Sequence, residues 1–296
     1  MDNNIIINYI APFLIVNGIT NYIYQKNIEK KFKESFSLNK NDIIRKELPD
    51  ELTIPDILKK YTKKLESKCD NKALENLYRN INNVQINKNL LLILRGLAGS
   101  YLTSENKIDY LVESALSHEF IHMASSYYDK DNNIIKSGFL DFSTNLVLGR
   151  ALNEGYTELL NRRYLNPKST GYNEEVNIMR FFELLFDSKE LENSYFTNDF
   201  ISLIKILKKY MTTEEAVKLI SNFDLAFKLK ITCNPAYLPI YINIKSKLSN
   251  IFAQNNNSLM KQLDYLKLLS ENPLINTIQK TSEFSKNKNY SLIKSL

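Results

Sequence analysis

The chain of 296 residues has no tryptophan, and it is poor in cysteine, histidine, glycine and proline. Its two cysteines, Cys69 and Cys233, stand far apart and match neither a metal-binding nor a redox spacing. The cysteine content therefore does not imply a disulfide framework, and we predict two separate thiols in a reducing compartment. We accordingly expect a cytoplasmic location.

Long apolar runs are also missing. The stretch 5–19 is apolar, but two asparagines, a proline and a glycine interrupt it, and it falls short of the roughly 20 apolar residues of a membrane span. An acidic residue, Asp2, stands where a signal peptide would be basic. We expect no membrane span and interpret 5–19 as a buried strand or helix, with an uncleaved membrane anchor as the alternative.

The charge is mildly basic, with a net value of +6, but lysines and acidic residues are mixed along the chain. No nucleic-acid-binding motif accompanies this charge, so we expect no nucleic-acid partner. Hydrophobic residues make up 44% of the chain and charged residues 24%, which is typical of a folded globular protein and argues against a disordered one.

Glycine and proline are distributed unevenly. Six of the seven glycines lie between residues 96 and 171, whereas no proline lies between Pro55 and Pro167. Glycine permits sharp turns, and a lack of proline permits long helices. We therefore predict a mainly α fold (α+β) with a small sheet, divided into a mixed N-terminal region 1–86, a core 87–170 and a C-terminal helical region 171–296.

Apolar periodicity predicts individual elements. An N-terminal helix has an apolar stripe formed by Leu52, Ile57, Leu58, Tyr61 and Leu65. The run 89–102 opens with apolar residues that fit a buried strand or a helix equally well. We also expect helices over 107–128 and 145–165, and a turn leading into a loop over 137–142. Four or five amphipathic helices should follow Pro167. One of them, the segment 212–223, begins with residues that resemble a capping box.

Both histidines lie in one pentapeptide, His118-Glu119-Phe120-Ile121-His122. Residues four apart share a face of an α-helix, so both imidazoles can reach a single ion. A catalytic zinc needs three protein ligands and an open position for water, and Glu119 lies beside that water as a general base. This is the H-E-x-x-H arrangement, and it predicts one Zn²⁺ per chain. The alternative is a chance match on a core helix.

With no histidine left, the third ligand must be a carboxylate or a thiol. The segment ALNEGYTELL, residues 151–160, offers Glu154 on a predicted helix. Here the chain resembles the thermolysin-like zinc metallopeptidases, the gluzincins, whose second helix carries an Asn-Glu pair and, one turn on, a Ser/Thr-Asp pair. Asn153-Glu154 and Thr157-Glu158 occupy those places. The segment is also similar to uncharacterised bacterial members of this class.

The resemblance, which covers residues 107–165 only, implies a zincin-like core with Glu154 as the third zinc ligand. It implies that Glu158 supports His118 by accepting its other ring N–H, and it places Asn153 in the same supporting set. Two alternatives stay open: Glu154 paired with Arg150 on a solvated helix face, and Glu158 as a surface charge near Arg162.

The chain departs from the family pattern in three ways: the gap before the glutamate is longer, the second acid is Glu where the family has Asp, and no histidine remains to stabilise an oxyanion. Tyrosine or arginine must then serve. Tyr172 is our candidate for this role, with Arg150 and Arg163 as alternatives. Tyr156 is expected in the core.

In this family an edge strand before the histidine helix pairs with an extended peptide. By position, residues 97–103 fill that role here, and Gly96 and Gly99 suit a close approach of the backbone.

The expected function is hydrolysis of peptide bonds in a peptide or protein substrate, with Glu119 as the general base. One alternative is a catalytically silent, metal-stabilised module that binds a partner protein. Another is a regulatory protease or toxin with a narrow specificity. The same ligands can also hold Co²⁺ or Mn²⁺.

Overall fold

The computed structural model describes residues 47–271, except for 130, 132, 143–147, 198, 199 and 256–258. It also describes four helical positions between residues 23 and 30. The apolar stretch 5–19 lies outside the described residues. Within the described part of the chain, no helix combines the length and the apolar composition that crossing a membrane requires.

Helices dominate the described residues, which confirms the mainly α fold class. The helices are α1 (Asp56–Glu66), α2 (Asn71–Ile81), α3 (Glu113–Ala124), α4 (Arg150–Leu160), α5 (Asn173–Leu185), α6 (Ser188–Thr197), α7 (Phe200–Leu207), α8 (Thr213–Ile231), α9 (Tyr237–Asn255) and α10 (Leu259–Ser270). The strands are β1 (Gln85–Lys88), β2 (Gly99–Leu102), β3 (Lys107–Tyr110), β4 (Ser126–Tyr128), β5 (Ile134–Ser137) and β6 (Leu140–Asp141). Shorter elements are 3-10 helices at Leu90–Arg95 and Thr103–Glu105 and a π-helical turn at Asn161–Leu165.

One cluster of buried apolar side chains extends from Leu58 in α1 to Leu269 in α10. Helix α3 is buried most of the way round, since every residue from Leu116 to Ala124 is buried. In the predicted stripe of α1, Leu58, Tyr61 and Leu65 are buried, whereas Leu52 and Ile57 are exposed because they lie before the helix and in its first turn. The division of the chain at residues 86 and 170 stays a prediction.

A three-stranded sheet precedes α3, and it uses residues that the periodicity assigned to a helix. Its central strand β3 is parallel to β1 and antiparallel to β2. The predicted helix 107–128 is therefore too long at both ends: its first residues form β3, and Ser126–Tyr128 form β4. The buried Ile108 fits either periodicity, and only pairing with strands on both sides, β1 and β2, selects the strand.

A second small sheet follows α3, and the sequence did not predict it. Its strands are antiparallel in the order β4-β5-β6. The segment 137–142 is thus the turn of a hairpin and its second strand, where a loop was predicted. Gly138, with φ 55°, adopts the left-handed backbone that this tight connection between β5 and β6 requires.

After Pro167, the described residues contain six helices, α5 to α10, where four or five were predicted. The capping box at the start of α8 is confirmed. The Thr212 hydroxyl accepts the Glu215 N–H, and the Glu215 carboxylate accepts the Thr212 N–H. Cys69 and Cys233 are separate free thiols, as predicted.

Helix α4 begins without a capping side chain of its own, because Gly149 stands at its N-cap with φ 96°. A residue from α8 replaces the cap. The Asp224 carboxylate accepts the N–H of Gly149 at 2.7 Å and the N–H of Ala151 at 2.8 Å. Two backbone donors that burial would otherwise leave unpaired are satisfied in this way, and α4 is held against α8.

We predict that Asp224→Ala lowers the free energy of unfolding by roughly 1–3 kcal/mol, because two buried N–H groups lose their acceptor. Denaturant unfolding followed by circular dichroism measures this change. The matched control is Asp264→Ala, which removes an exposed aspartate from α10. Equal losses of stability in the two variants would contradict the capping role of Asp224.

Candidate metal centre

His118 and His122 lie one turn apart on α3 and point at a common position. Both side chains are buried, and their Nε2 atoms are 3.1 Å apart. Because α3 is packed on nearly every side, little freedom remains for either imidazole. The four-residue spacing thus places two metal-ligand atoms together, as the helical geometry predicts.

Glu154 of α4 reaches the same position from across the core. Its Oε2 lies 3.3 Å from His118 Nε2 and 3.4 Å from His122 Nε2. A tetrahedral Zn²⁺ with ligands at about 2.0–2.1 Å would have ligand–ligand separations of roughly 3.3 Å, so the triangle fits such an ion. Within the described residues, these three side chains form a group that could hold a metal. The alternative partner of Glu154, Arg150, lies exposed at the start of α4.

The second ring nitrogen of His118 contacts Glu158, one turn beyond Glu154. His118 Nδ1–H donates to Glu158 Oε2 at 3.0 Å, which leaves Nε2 as the free ligand atom. Asn161 Nδ2 donates to the same carboxylate at 3.1 Å and Arg162 Nε at 3.0 Å. Burial favours the neutral acid, but the hydrogen bonds from His118 and Ser169 lower the pKa of Glu158 to about 2. Glu158 therefore stays ionised and holds His118 in one orientation.

The Nδ1 atom of His122 lies 3.4 Å from Thr157 Oγ1 and 3.3 Å from Asn153 Nδ2. Asn153 Oδ1 accepts the Phe139 N–H, so the amide group that faces His122 is the Nδ2 donor. Thr157 Oγ1 is therefore the acceptor within reach of the His122 ring. The Thr157 hydroxyl donates to the Asn153 carbonyl at 2.7 Å, and the Tyr195 hydroxyl lies 2.5 Å from Thr157 Oγ1. Because the Thr157 proton is already used, Tyr195 is the donor of this last bond.

Sequence reasoning missed Tyr195, and it named Thr157 only as part of the family pattern. Tyr195 is fully buried on α6, far along the chain from either histidine. Nothing in the local pattern around Tyr195 separates it from the other 17 tyrosines. Only the packing of α6 against the end of the site brings its hydroxyl to Thr157.

Without a metal, the imidazole of His118 holds a proton strongly. Burial alone would lower the pKa of His118, but the hydrogen bonds that the imidazole donates to Glu154 and Glu158 raise it to about 10. The pKa of Glu154 is lowered correspondingly, because contacts with His122 and His118 outweigh its burial. Metal ions therefore compete with protons for this group.

Glu119 is buried beside the ligands but does not belong to their triangle. Burial raises the pKa of Glu119, and a hydrogen bond from the Tyr101 backbone opposes that shift. Strand β2 lies close to Glu119 because Gly99, which has no side chain, faces it. A Cβ atom on Gly99 would lie 2.9 Å from both Cγ and Oε1 of Glu119. The expectation of a close backbone approach at Gly99 is confirmed.

Tyr172, the proposed oxyanion stabiliser, lies next to the ligands. Its ring stacks on the His118 imidazole with the centroids 5.2 Å apart, and its backbone is left-handed with φ 51°. Burial and the charges of Glu154 and Glu119 raise the pKa of Tyr172, so its hydroxyl keeps the proton and can donate. The alternative Arg163 is engaged elsewhere, with Glu183 and Glu192. Tyr156 is buried in the core, as predicted.

A cavity of about 390 Å³ opens onto the site. The segment 96–99 that leads into β2 lines it, and so does the segment 168–172 before α5. His118 and Glu119 line it from α3, and Glu158 lines it from α4. The cavity thus gives access to His118 and Glu119, the first two residues of the histidine motif.

Comparison with known proteins gives no counterpart: no family model, curated protein or solved structure matches the chain.

We predict that Glu154→Ala lowers the affinity for zinc at least about 100-fold, because only two protein ligands remain. A chelator competition on purified protein measures this affinity. The control is Glu183→Ala, which removes a similarly shielded glutamate bound to Arg163 outside the site. Full zinc retention in Glu154→Ala would show that another acid is the third ligand.

We also predict that Glu158→Gln weakens zinc binding about 10- to 100-fold without abolishing it, because His118 loses its charged partner. The same competition assay applies, with Glu192→Gln as the control for a carboxylate paired with arginine elsewhere. An affinity equal to that of the unmodified protein would exclude a supporting role for Glu158.

Proposed function

We propose that this chain is a zinc-dependent peptidase of the gluzincin type, with a zincin-like core in which His118, His122 and Glu154 hold the ion. The observation that carries the proposal is Glu119, a buried carboxylate that lines an open cavity beside three potential ligands without being one of them. General-base catalysis needs a group in that position, whereas a purely structural metal site does not.

The ligand set favours zinc. Two imidazoles and one carboxylate are the ligands of many catalytic zinc ions, and Co²⁺ or Mn²⁺ would accept the same set. Zinc, when bound, would supply an acidified water and polarise a peptide carbonyl.

Glu119 would accept the proton of the attacking water and pass it to the departing amine. Burial raises the pKa of Glu119, which makes it a stronger base than an exposed glutamate. The Tyr101 N–H orients its carboxylate, and Gly99 leaves the space that this carboxylate occupies. Glu119 is thereby held in place before a substrate arrives.

The edge of β2 offers a binding site for an extended peptide. The Ala98 C=O accepts the Leu111 N–H, so the backbone of Ala98 faces β3. In an antiparallel ladder the backbone groups of successive residues alternate in direction, so those of Gly99 and Tyr101 face away from β3. The Tyr101 N–H that reaches Glu119 agrees with this assignment. The backbone of Gly99 thus faces the cavity and can pair with a substrate strand.

Tyr172 would stabilise the negative charge that develops on the carbonyl oxygen. Its hydroxyl stays protonated, and its ring is fixed against His118 where both residues line the cavity. A fixed donor at such a position lowers the barrier for attack.

Two other functions compete with a general peptidase. A silent binding module would explain the ligands but not a buried Glu119 at the cavity. A regulatory protease or toxin with a single protein substrate would share the whole site, and turnover of a broad peptide library would count against it.

We predict that Glu119→Gln keeps the zinc and the fold but lowers peptide turnover at least about 100-fold, because glutamine cannot accept the proton. The experiment compares zinc content and cleavage of a peptide library for the unmodified protein and the variant. The control is Glu113→Gln, which alters an exposed glutamate at the start of the same helix.

Cleavage that survives in Glu119→Gln would exclude the mechanism. A zinc-loaded unmodified protein that cleaves no peptide or candidate protein would favour the binding module.

A further inference from the structure

The 3-10 helix Leu90–Arg95 places four large apolar side chains in solvent. Leu90, Leu91, Ile93 and Leu94 are 66%, 67%, 61% and 84% exposed, whereas Leu92 is buried and anchors the turn. Asn89 caps its start by accepting the Leu91 N–H. We refer to these six residues, Leu90–Arg95, as the apolar knob.

The exposure values show that the knob projects from the surface. In a 3-10 helix, residues three apart lie above one another, so Leu90 pairs with Ile93 and Leu91 with Leu94 on two of its three sides. Side chains that are mostly solvent-exposed do not line a groove. Elsewhere in the described residues, exposed large apolar side chains do not recur at four of five consecutive positions. Such a contiguous apolar patch marks an interaction site.

The sequence on both sides of the knob is basic. Between Glu75 and Glu105 the sequence has no acidic residue, and Lys88 and Arg95 flank the four apolar positions. The ion pairs among the described residues include neither Lys88 nor Arg95. The nearby Asp109 is buried, accepts a hydrogen bond from Asn89 and pairs with Lys107.

We propose that the apolar knob docks on a membrane surface that carries anionic lipid. The four apolar side chains would enter the boundary between headgroups and acyl chains, and Lys88 and Arg95 would contact lipid phosphates. The knob is about 12 Å long, so it attaches to one leaflet and does not span. A second copy of the chain suits this surface poorly, because a two-fold contact would bring the same cations together.

Docking would also orient the candidate site. The segment 96–99 follows the knob directly and forms one wall of the cavity, so the cavity would lie close to the bilayer. Membrane docking goes beyond the proposed function and does not rest on it. Zinc binding and cleavage of soluble peptides test the metal site, whereas binding to lipid vesicles tests the apolar knob.

The test uses the full chain and vesicles of phosphatidylcholine alone or with about one third phosphatidylglycerol. We expect co-sedimentation with the anionic vesicles, and at least about 10-fold weaker binding by Leu91→Ser/Leu94→Ser, because the apolar area that enters the lipid is lost. The matched control, Met260→Ser/Leu263→Ser, removes two exposed apolar side chains of α10 and should bind like the unmodified protein.

A second variant tests the contribution of the two cations to membrane binding. Lys88→Gln/Arg95→Gln should bind the anionic vesicles roughly 5- to 30-fold more weakly and leave the weak binding to neutral vesicles unchanged. Absence of binding by the unmodified protein, or equal binding by Leu91→Ser/Leu94→Ser, would overturn the proposal. Self-association that is lost in this leucine variant, without any vesicle binding, would instead assign the knob to a contact between proteins.

Discussion

The burial of ionisable side chains between α3 and α4 is the constraint on which the site depends. His118, Glu119, His122, Glu154 and Glu158 all lie within this region. A buried charge is tolerated only where an opposite charge or a hydrogen bond compensates it. His118 meets this need by contacting one carboxylate through each ring nitrogen. The position of α4 relative to α3 is therefore set by polar contacts as well as by the apolar core.

Distant parts of the chain complete this arrangement. Asp224 of α8 caps the first turn of α4, and Tyr195 of α6 donates to Thr157 behind His122. The hairpin turn after β5 comes so close that a Cβ atom on Gly138 would lie 2.1 Å from Asn153 Oδ1. The concentration of glycines between residues 96 and 171 thus reflects, at Gly138 and Gly99, the close approach of the backbone to side chains of the site.

The sequence pattern predicts those features that depend on residues a few positions apart. The histidine spacing, the one-turn step from Glu154 to Glu158 and the capping box at Thr212 all follow from helix geometry. Strand β3 was missed because its parallel pairing with β1, about 20 residues earlier, is not visible in the local pattern. The second sheet was missed because its strands are only two to four residues long, too short for an alternating pattern to show. Tyr195 and Asp224 were missed because the residues that they contact lie far along the chain. The exposed leucines of the 3-10 helix were expected in a buried element, since an apolar run alone does not show whether anything covers it.

The charges around the ligand triangle bear on the kind of ion that suits it. Glu158 is balanced by Arg162, which leaves Glu154 and Glu119 as two carboxylates without a fixed cation. A proton on His118 offsets one of them, whereas a divalent ion among the three ligand atoms would offset both. Glu119 could then stay ionised in a buried place, the state that a general base requires. The charge balance, independently of the ligand spacing, therefore favours a doubly charged ion over a singly charged one.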